Sequence, residues 1–116
     1  RLGEIAGAAA DGLIVGSPWF IEKSDAMNTK FVADFRKLTG KAPDQFAAQA
    51  YDTMYIVAAA VDRSGDASPD KIREALYTVR HTGVMGAFAF AANRSPASAE
   101  GVVVLVMKGA KFAILD

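Results

Sequence analysis

Apolar residues recur along this chain first in one period and then in another. Residues 13 to 15, LIV, form a short apolar run between Gly12 and Gly16, the mark of a buried strand. Pro18 cannot donate to a sheet ladder and biases Ser17 toward an extended backbone, so SPWF should lead the chain out of the sheet as a linker. Met27, Phe31, Phe35 and Leu38 then repeat at helical spacing, with Lys30, Asp34, Arg36 and Lys37 on the other face. Ser24 and Asp25 suit the N-cap of this helix, and Gly40 suits its stop.

Asp44, after Pro43, is a good N-cap for a second helix. From Phe46 to Val61 that helix is apolar nearly all round, apart from a stripe of Gln45, Gln49, Asp52 and Thr53, and the pattern predicts a central, mostly buried element. Asp52 is expected to be a structural hydrogen-bonding partner within the stripe. Ser64, Gly65 and Asp66 end the helix, and Ser68 with Pro69 starts a third one as N-cap and first helical residue. Ile72, Ala75, Leu76 and Val79 supply its apolar face. The period then changes from 3.6 to 2 in VMGAFAF, where Phe88 and Phe90 share a face. After the loop ANRSPASAEG come two strands, Val102 to Met107 and Lys111 to Leu115, joined by Lys108, Gly109 and Ala110 as a hairpin. Both faces of the first of these strands are apolar, which predicts cover on both sides, as in the interior of an α/β sheet.

Composition narrows the function classes. The chain has 116 residues, 52% hydrophobic and 22% charged, an ordinary globular balance for one domain or a piece of a larger one. Thirteen basic and thirteen acidic residues cancel, so no global field draws nucleic acid or an anionic membrane, and nucleic-acid binding is not expected. Without cysteine there are no disulfides and no thiolate chemistry, and with His81 as the single histidine no multi-histidine metal site can form. His81 reads as a residue just past a helix C-terminus, where partial positive charge is favoured. No apolar run approaches the roughly 20 residues that span a bilayer as a helix, which predicts a soluble protein. The chain starts at Arg1 in RLGEIAGAAADGLIV, which reads like the middle of a fold and predicts a fragment.

Phosphate-binding glycine motifs are missing, and TGKAP lacks the upstream glycine of a phosphate loop. Ser68-Pro69-Asp70-Lys71 does fit the S-x-x-K pattern of serine acyl enzymes, in which a lysine one turn on activates a helix-start serine. Its companion motifs are absent, and Ser-Pro-Asp is itself a common helix start, so the capping role is preferred. No catalytic residue, metal or cofactor is assigned.

The phrases DGLIVGSPWF, FRKLTGKAPDQFAAQAYDTMYIVAAAV, PDKIREAL, TGVMGAFAF and VVVLVMKGAKF, in that order, resemble the carboxyl-terminal third of type I periplasmic solute-binding proteins. The group is that of ABC-transporter receptors for branched-chain and related amino acids, which includes receptors for aromatic acids. The resemblance implies an α/β fold of two lobes joined by crossovers and closing on a ligand in the cleft. In this chain it implies that residues 1–16 end the second lobe, 17–22 form a crossover, 23–92 are the helical part of the first lobe, and 93–116 are the return crossover and closing hairpin.

Carried over onto this sequence, Trp19, Phe20, Gln45, Phe46 and Tyr51 would face the ligand, with Ser17 and Pro18 in the hinge. Trp19 has the size and the indole donor to cover an aromatic ligand, or equally to pack the hinge. Tyr51 could instead be a core residue of so apolar a helix. The implied function is a periplasmic receptor that captures an amino acid or organic acid for an ABC permease, without a reaction. A ligand-sensing regulator on the same scaffold is the alternative, and a serine acyl enzyme using Ser68 and Lys71 is the other class. An exposed sheet edge in the fragment would favour pairing with another copy or with the rest of its own chain.

Overall fold

The chain leaves a sheet at Pro18 and returns to that sheet at Val102. The computed structural model describes residues 2–97 and 102–115. In chain order its elements are α1 (Leu2–Ala6), a 3-10 turn (Gly7–Ala10), β1 (Ile14–Ser17), α2 (Ala26–Thr39), α3 (Gln45–Ser64), α4 (Pro69–Leu76), β2 (Arg80–Gly83), β3 (Gly86–Ala89), β4 (Val103–Lys108) and β5 (Lys111–Ile114). They fall into two units. One joins the chain up to Pro18 with the chain from Val102 onward, and the other takes the stretch beginning at Trp19 between them.

The first unit is a three-stranded antiparallel sheet in the order β1-β4-β5. Val15 pairs with Leu105, and Met107 with Phe112. The ladder extends past β1, because Gly12 donates to the Met107 carbonyl and Met107 donates to that of Leu13, both at 2.9 Å. Between Lys108 and Lys111 the hairpin turns through Gly109 and Ala110, both left-handed at φ 55° and 68°. Positive φ at both positions matches the twist of the flanking strands, as the sequence pattern of a short hairpin predicts. The amide of Gly109 donates to the Asp11 carboxylate at 3.0 Å. Gly3 of α1 lies so close to the turn that an added Cβ would fall 2.2 Å from the carbonyl oxygen of Ala110, so no larger residue fits there.

The expectation of a strand covered on both faces holds for only half of β4. Leu105, Val106 and Met107 are consecutive, point to alternate faces and are all buried. Val102 and Val104 are exposed. The difference parallels the pairing: the β5 ladder begins opposite Leu105, and beyond it Leu115 donates to the Val104 carbonyl at 2.9 Å.

In the second unit the predicted caps form at two helices. Asp25 accepts from the Asn28 amide at 2.8 Å at the start of α2, and Asp44 accepts from the Ala47 amide at 2.9 Å at the start of α3. Gly40 and Gly65 close the two helices in the left-handed conformation, at φ 70° and 63°. Ser68 occupies the N-cap position of α4, but its side chain makes no capping bond. Its amide donates instead to the Asp66 carboxylate at 2.7 Å, which tightens the turn without satisfying the first amides of α4.

Helix α4 ends at Leu76, so Val79, expected on its apolar face, is buried in the turn that follows. The apolar alternation of VMGAFAF marks one strand, and the structure pairs part of it, β3, with Arg80–Gly83 in front. That partner strand, RHTG, carries no apolar alternation of its own and is extended because β3 pairs with it. His81 therefore lies within β2 and not past a helix end.

Among the described residues two hydrophobic clusters hold this unit. Trp19, Phe31, Val32, Ala48 and Val84 form one, with Ile21, Phe35, Ala47 and Met85 against it. Ile56, Ala60, Ala75 and Val79 form the other, with Ile72, Leu76, Phe88 and Phe90. Helix α3 serves both, but it is not mostly buried: Ala48, Asp52, Ile56 and Ala60, one every four residues, are its buried positions. Phe46, Tyr51, Met54, Tyr55 and Val57 are exposed. An apolar composition all round predicts burial only where elements exist to cover every face, and here α2, α4 and the β2–β3 hairpin cover one stripe.

Among the described residues no helix is long and apolar enough to cross a membrane.

Candidate functional site

Trp19, the first residue of the second unit, is buried. Its indole Nε1 donates to Asn28 Oδ1 at 2.7 Å, and its ring meets Phe31 edge-on with centroids 6.1 Å apart. Asn28 is fully buried and spends its Nδ2 donors on the carbonyls of Ile21 and Lys23, at 3.1 and 2.9 Å. One amide side chain in the first turn of α2 thus holds the segment 19–23. A buried amide leaves no donor or acceptor unmet only when each finds a partner, and Asn28 meets that condition. Sequence reasoning passed over Asn28. The available signal was a lone asparagine three residues before Phe31, on the apolar side of a helix.

From Phe31 a file of rings runs along α3. Phe31 lies 4.8 Å from Tyr51, Tyr51 lies 5.1 Å from Tyr55, and Tyr55 stacks nearly parallel on His81 at 6.1 Å. The hydroxyls of Tyr51 and Tyr55 share a hydrogen bond at 3.3 Å. That bond, with some desolvation and nearby negative charge, pushes the Tyr51 phenol up to about 12.

Asp52 lies under the file. It is buried, and its two carboxylate oxygens accept from the backbone amides of Val84 and Met85 at 3.0 and 2.8 Å. These are the two turn residues between β2 and β3, so a side chain of α3 caps the hairpin. Asp52 is thus a structural hydrogen-bonding partner, but of the hairpin turn and not of the helical stripe. Gly83 leaves the necessary room, since a Cβ there would fall 2.2 Å from Asp52 Oδ1. His81 Nε2 is 3.6 Å from the same oxygen and, among the described residues, has no hydrogen-bond partner.

Of the five expected ligand-facing residues, the structure brings Trp19 and Tyr51 together through Phe31. Gln45 begins α3 and is half-buried; Phe46, beside it, is 68% exposed; Phe20 is half-buried. Phe20 and Phe46 stand outside the ring file among the described residues. Ser17 ends β1 and Pro18 follows it, where the two units divide. Ser68 and Lys71 are both exposed at the start of α4, where the Lys71 ammonium lies 3.4 Å from the Glu74 carboxylate. No cluster of three or more metal-ligating side chains occurs among the described residues.

Residues 1–111 match the family model described as periplasmic binding protein. A leucine binding protein from Thermotoga maritima MSB8 is 27% identical over 99% of this chain and 33% of its own, with a TM-score of 0.79. An ABC transporter substrate-binding protein from Desulfitobacterium hafniense, solved in complex with Leu, is 28% identical over 91% of this chain and 32% of its own, with a TM-score of 0.76. A solute binding protein of an ABC transporter from R. palustris, in complex with benzoate, shares the fold at a TM-score of 0.77 and 24% identity, over 98% of this chain and 32% of its own. The chain therefore spans about a third of the length of these structures. No curated protein matches it.

Proposed function

The chain belongs to the periplasmic binding protein family, and we propose that it is the carboxyl-terminal part of a periplasmic receptor that captures an amino acid or a small organic acid and delivers it to an ABC permease. The likeness over nearly its whole length to receptors solved with leucine and with benzoate carries this reading. Such a receptor works by closing two lobes on its ligand, and the break at Ser17 and Pro18 is where this chain would bend. In this reading, residues 1–16 and 93–116 belong to the second lobe with its return crossover, and 23–92 to the first.

The geometry of the second unit suits the task. Trp19 is held by Asn28 and is itself inaccessible, so its part is to fix the crossover. Phe20 and Gln45 are half-buried, Phe46 and Tyr51 are exposed, and in this reading the four form this chain's share of the cleft wall. Tyr51 is kept neutral to high pH, so it can offer a hydrogen bond and a ring face without adding charge. The remaining wall comes from elsewhere in the receptor.

Thermal unfolding of the full-length receptor against leucine, other amino acids and benzoate tests the reading. A ligand at a hundred times its dissociation constant adds about 2.7 kcal/mol to stability. Stabilisation by at least one of these compounds, weakened about tenfold in affinity by Phe46→Ala or Tyr51→Ala, is expected. Absence of any shift across the set would refute it.

A further inference from the structure

On the far side of α4 from its N-cap, a groove of about 220 Å³ lies between the end of that helix and the chain after β3, lined by Arg73, Leu76, Tyr77, Phe90 and Arg94. We propose that this groove is a docking site for an acidic segment of a partner protein, taking one apolar side chain into the groove and its neighbouring carboxylates onto the two guanidiniums.

The groove is built and held. Leu76 and Tyr77 end α4, and Phe90 packs edge-on against Phe88 at 4.9 Å. Arg73 lies one turn before Tyr77, on the same helix face. Arg94 enters from the opposite side with a left-handed backbone at φ 70°, an unusual conformation for a residue with a long side chain. It is kept there by a closed loop: Arg94 donates to the Ala91 carbonyl at 2.9 Å, Ala91 to that of Ser95 at 2.8 Å, and Ala97 to that of Ala89 at 2.8 Å. Strained backbone persists only where its surroundings over-determine it, and it gathers at binding sites. The outcome here is that Arg94 Nε donates to the Tyr77 hydroxyl at 3.3 Å, which leaves the guanidinium at the groove's edge.

Charge complementarity selects the partner. Among the described residues none of the ion pairs involves Arg94. Arg73 contacts the Asp70 carboxylate at 2.9 Å, but both side chains are mostly exposed and such a pair is readily exchanged. Two more guanidiniums, of Arg63 and Arg80, donate to the carbonyls of Thr78 and of Tyr77 and Val79, adding positive charge behind the same turn. Planar guanidiniums take carboxylates through paired hydrogen bonds.

A free acid and a protein side chain both fit this volume, and the two guanidiniums beside it favour a segment that carries more than one carboxylate. Small-molecule sites usually enclose about 300–1,000 Å³ and bury most of their ligand. This groove is smaller and fits one side chain, as a pocket for an anchor residue does, with further contacts coming from the partner's flanking surface. The docking site is independent of which ligand the receptor carries.

The test uses the full-length receptor that contains this chain and a fluorescein-labelled peptide, Gly-Glu-Phe-Glu-Gly, followed by anisotropy, with free benzoate and the peptide Gly-Lys-Phe-Lys-Gly as comparisons. Saturable binding of the acidic peptide is expected, weakened at least about tenfold by Arg94→Asn, which tolerates the left-handed backbone. The doubly reversed variant Arg73→Glu with Arg94→Glu should prefer the lysine peptide. Unchanged melting of each variant keeps the comparison valid, and Tyr77→Phe, which releases Arg94 without altering charge, provides a second variant. Failure of the acidic peptide to bind, binding indifferent to these substitutions, or benzoate binding in the groove as tightly as the peptide would overturn the proposal.

Discussion

The two units solve the same problem by different means. In the sheet formed by the chain's two ends, order comes from backbone ladders between residues some ninety positions apart, as in the pairing of Val15 with Leu105. Among the described residues its buried side chains are all apolar: Ala10, Leu105, Val106 and Met107. In the helical unit the buried residues include Asn28, engaged with the Trp19 indole and the carbonyls of Ile21 and Lys23, and Asp52, engaged with the amides of Val84 and Met85. An apolar core tolerates changes of shape, whereas a buried polar key leaves several groups unpaired at once when it is lost. The helical unit is therefore the more exactingly specified of the two, and it also carries the expected ligand-facing residues.

Replacing Asp52 tests this contrast most severely. Asp52→Ala strands the Val84 and Met85 amides, and the expected loss is about 4 kcal/mol, read from the urea midpoint of α-helical circular dichroism. A loss under about 1 kcal/mol would mean that the hairpin is held by its own pairing instead.

Met107→Ala is the matching lesion in the sheet. Removal of a buried methionine should cost about 3 kcal/mol. Hydrogen exchange should accelerate in β1, β4 and β5 while the amides of α2 and α3 keep their protection, since separate units open separately. Equal acceleration in both would remove the distinction between them.

Asn28→Ala should cost about 2 kcal/mol, because the Trp19 indole and the two carbonyls at Ile21 and Lys23 lose their common partner. With Trp19 the single tryptophan, its fluorescence reports the site directly, and a red shift is expected as water reaches the indole.

The smallest effects compare two helix starts. Asp44→Ala removes a formed capping bond and should cost about 1 kcal/mol, while Ser68→Ala removes no bond and should stay within about 0.5 kcal/mol. Equal costs would show that position alone, without the bond, gives the cap its value.

Much of the architecture was legible from neighbours in the chain. The caps at Asp25 and Asp44, the stops at Gly40 and Gly65, the break at Pro18 and the hairpin at Gly109 all depend on residues within one turn of each other, so local chemistry suffices to place them. The order of these elements was also enough to identify the family. The expected ligand-facing residues were harder, because their roles depend on what surrounds them: Trp19 turned inward onto Asn28 while Phe46 remained on the surface.

What sequence alone determined, then, was where elements begin and end and that one helix is apolar on nearly every face. Tertiary structure decided which face is covered. It made Asp52 the cap of a turn 32 residues away, drew RHTG into a strand and set Arg94 beside Tyr77. The physical reason is range. Periodicity and capping act through a few bonds and leave their mark in adjacent letters, but a buried carboxylate finds its partners wherever the fold brings unpaired amides, and an apolar face is buried only if some other part of the protein arrives to cover it.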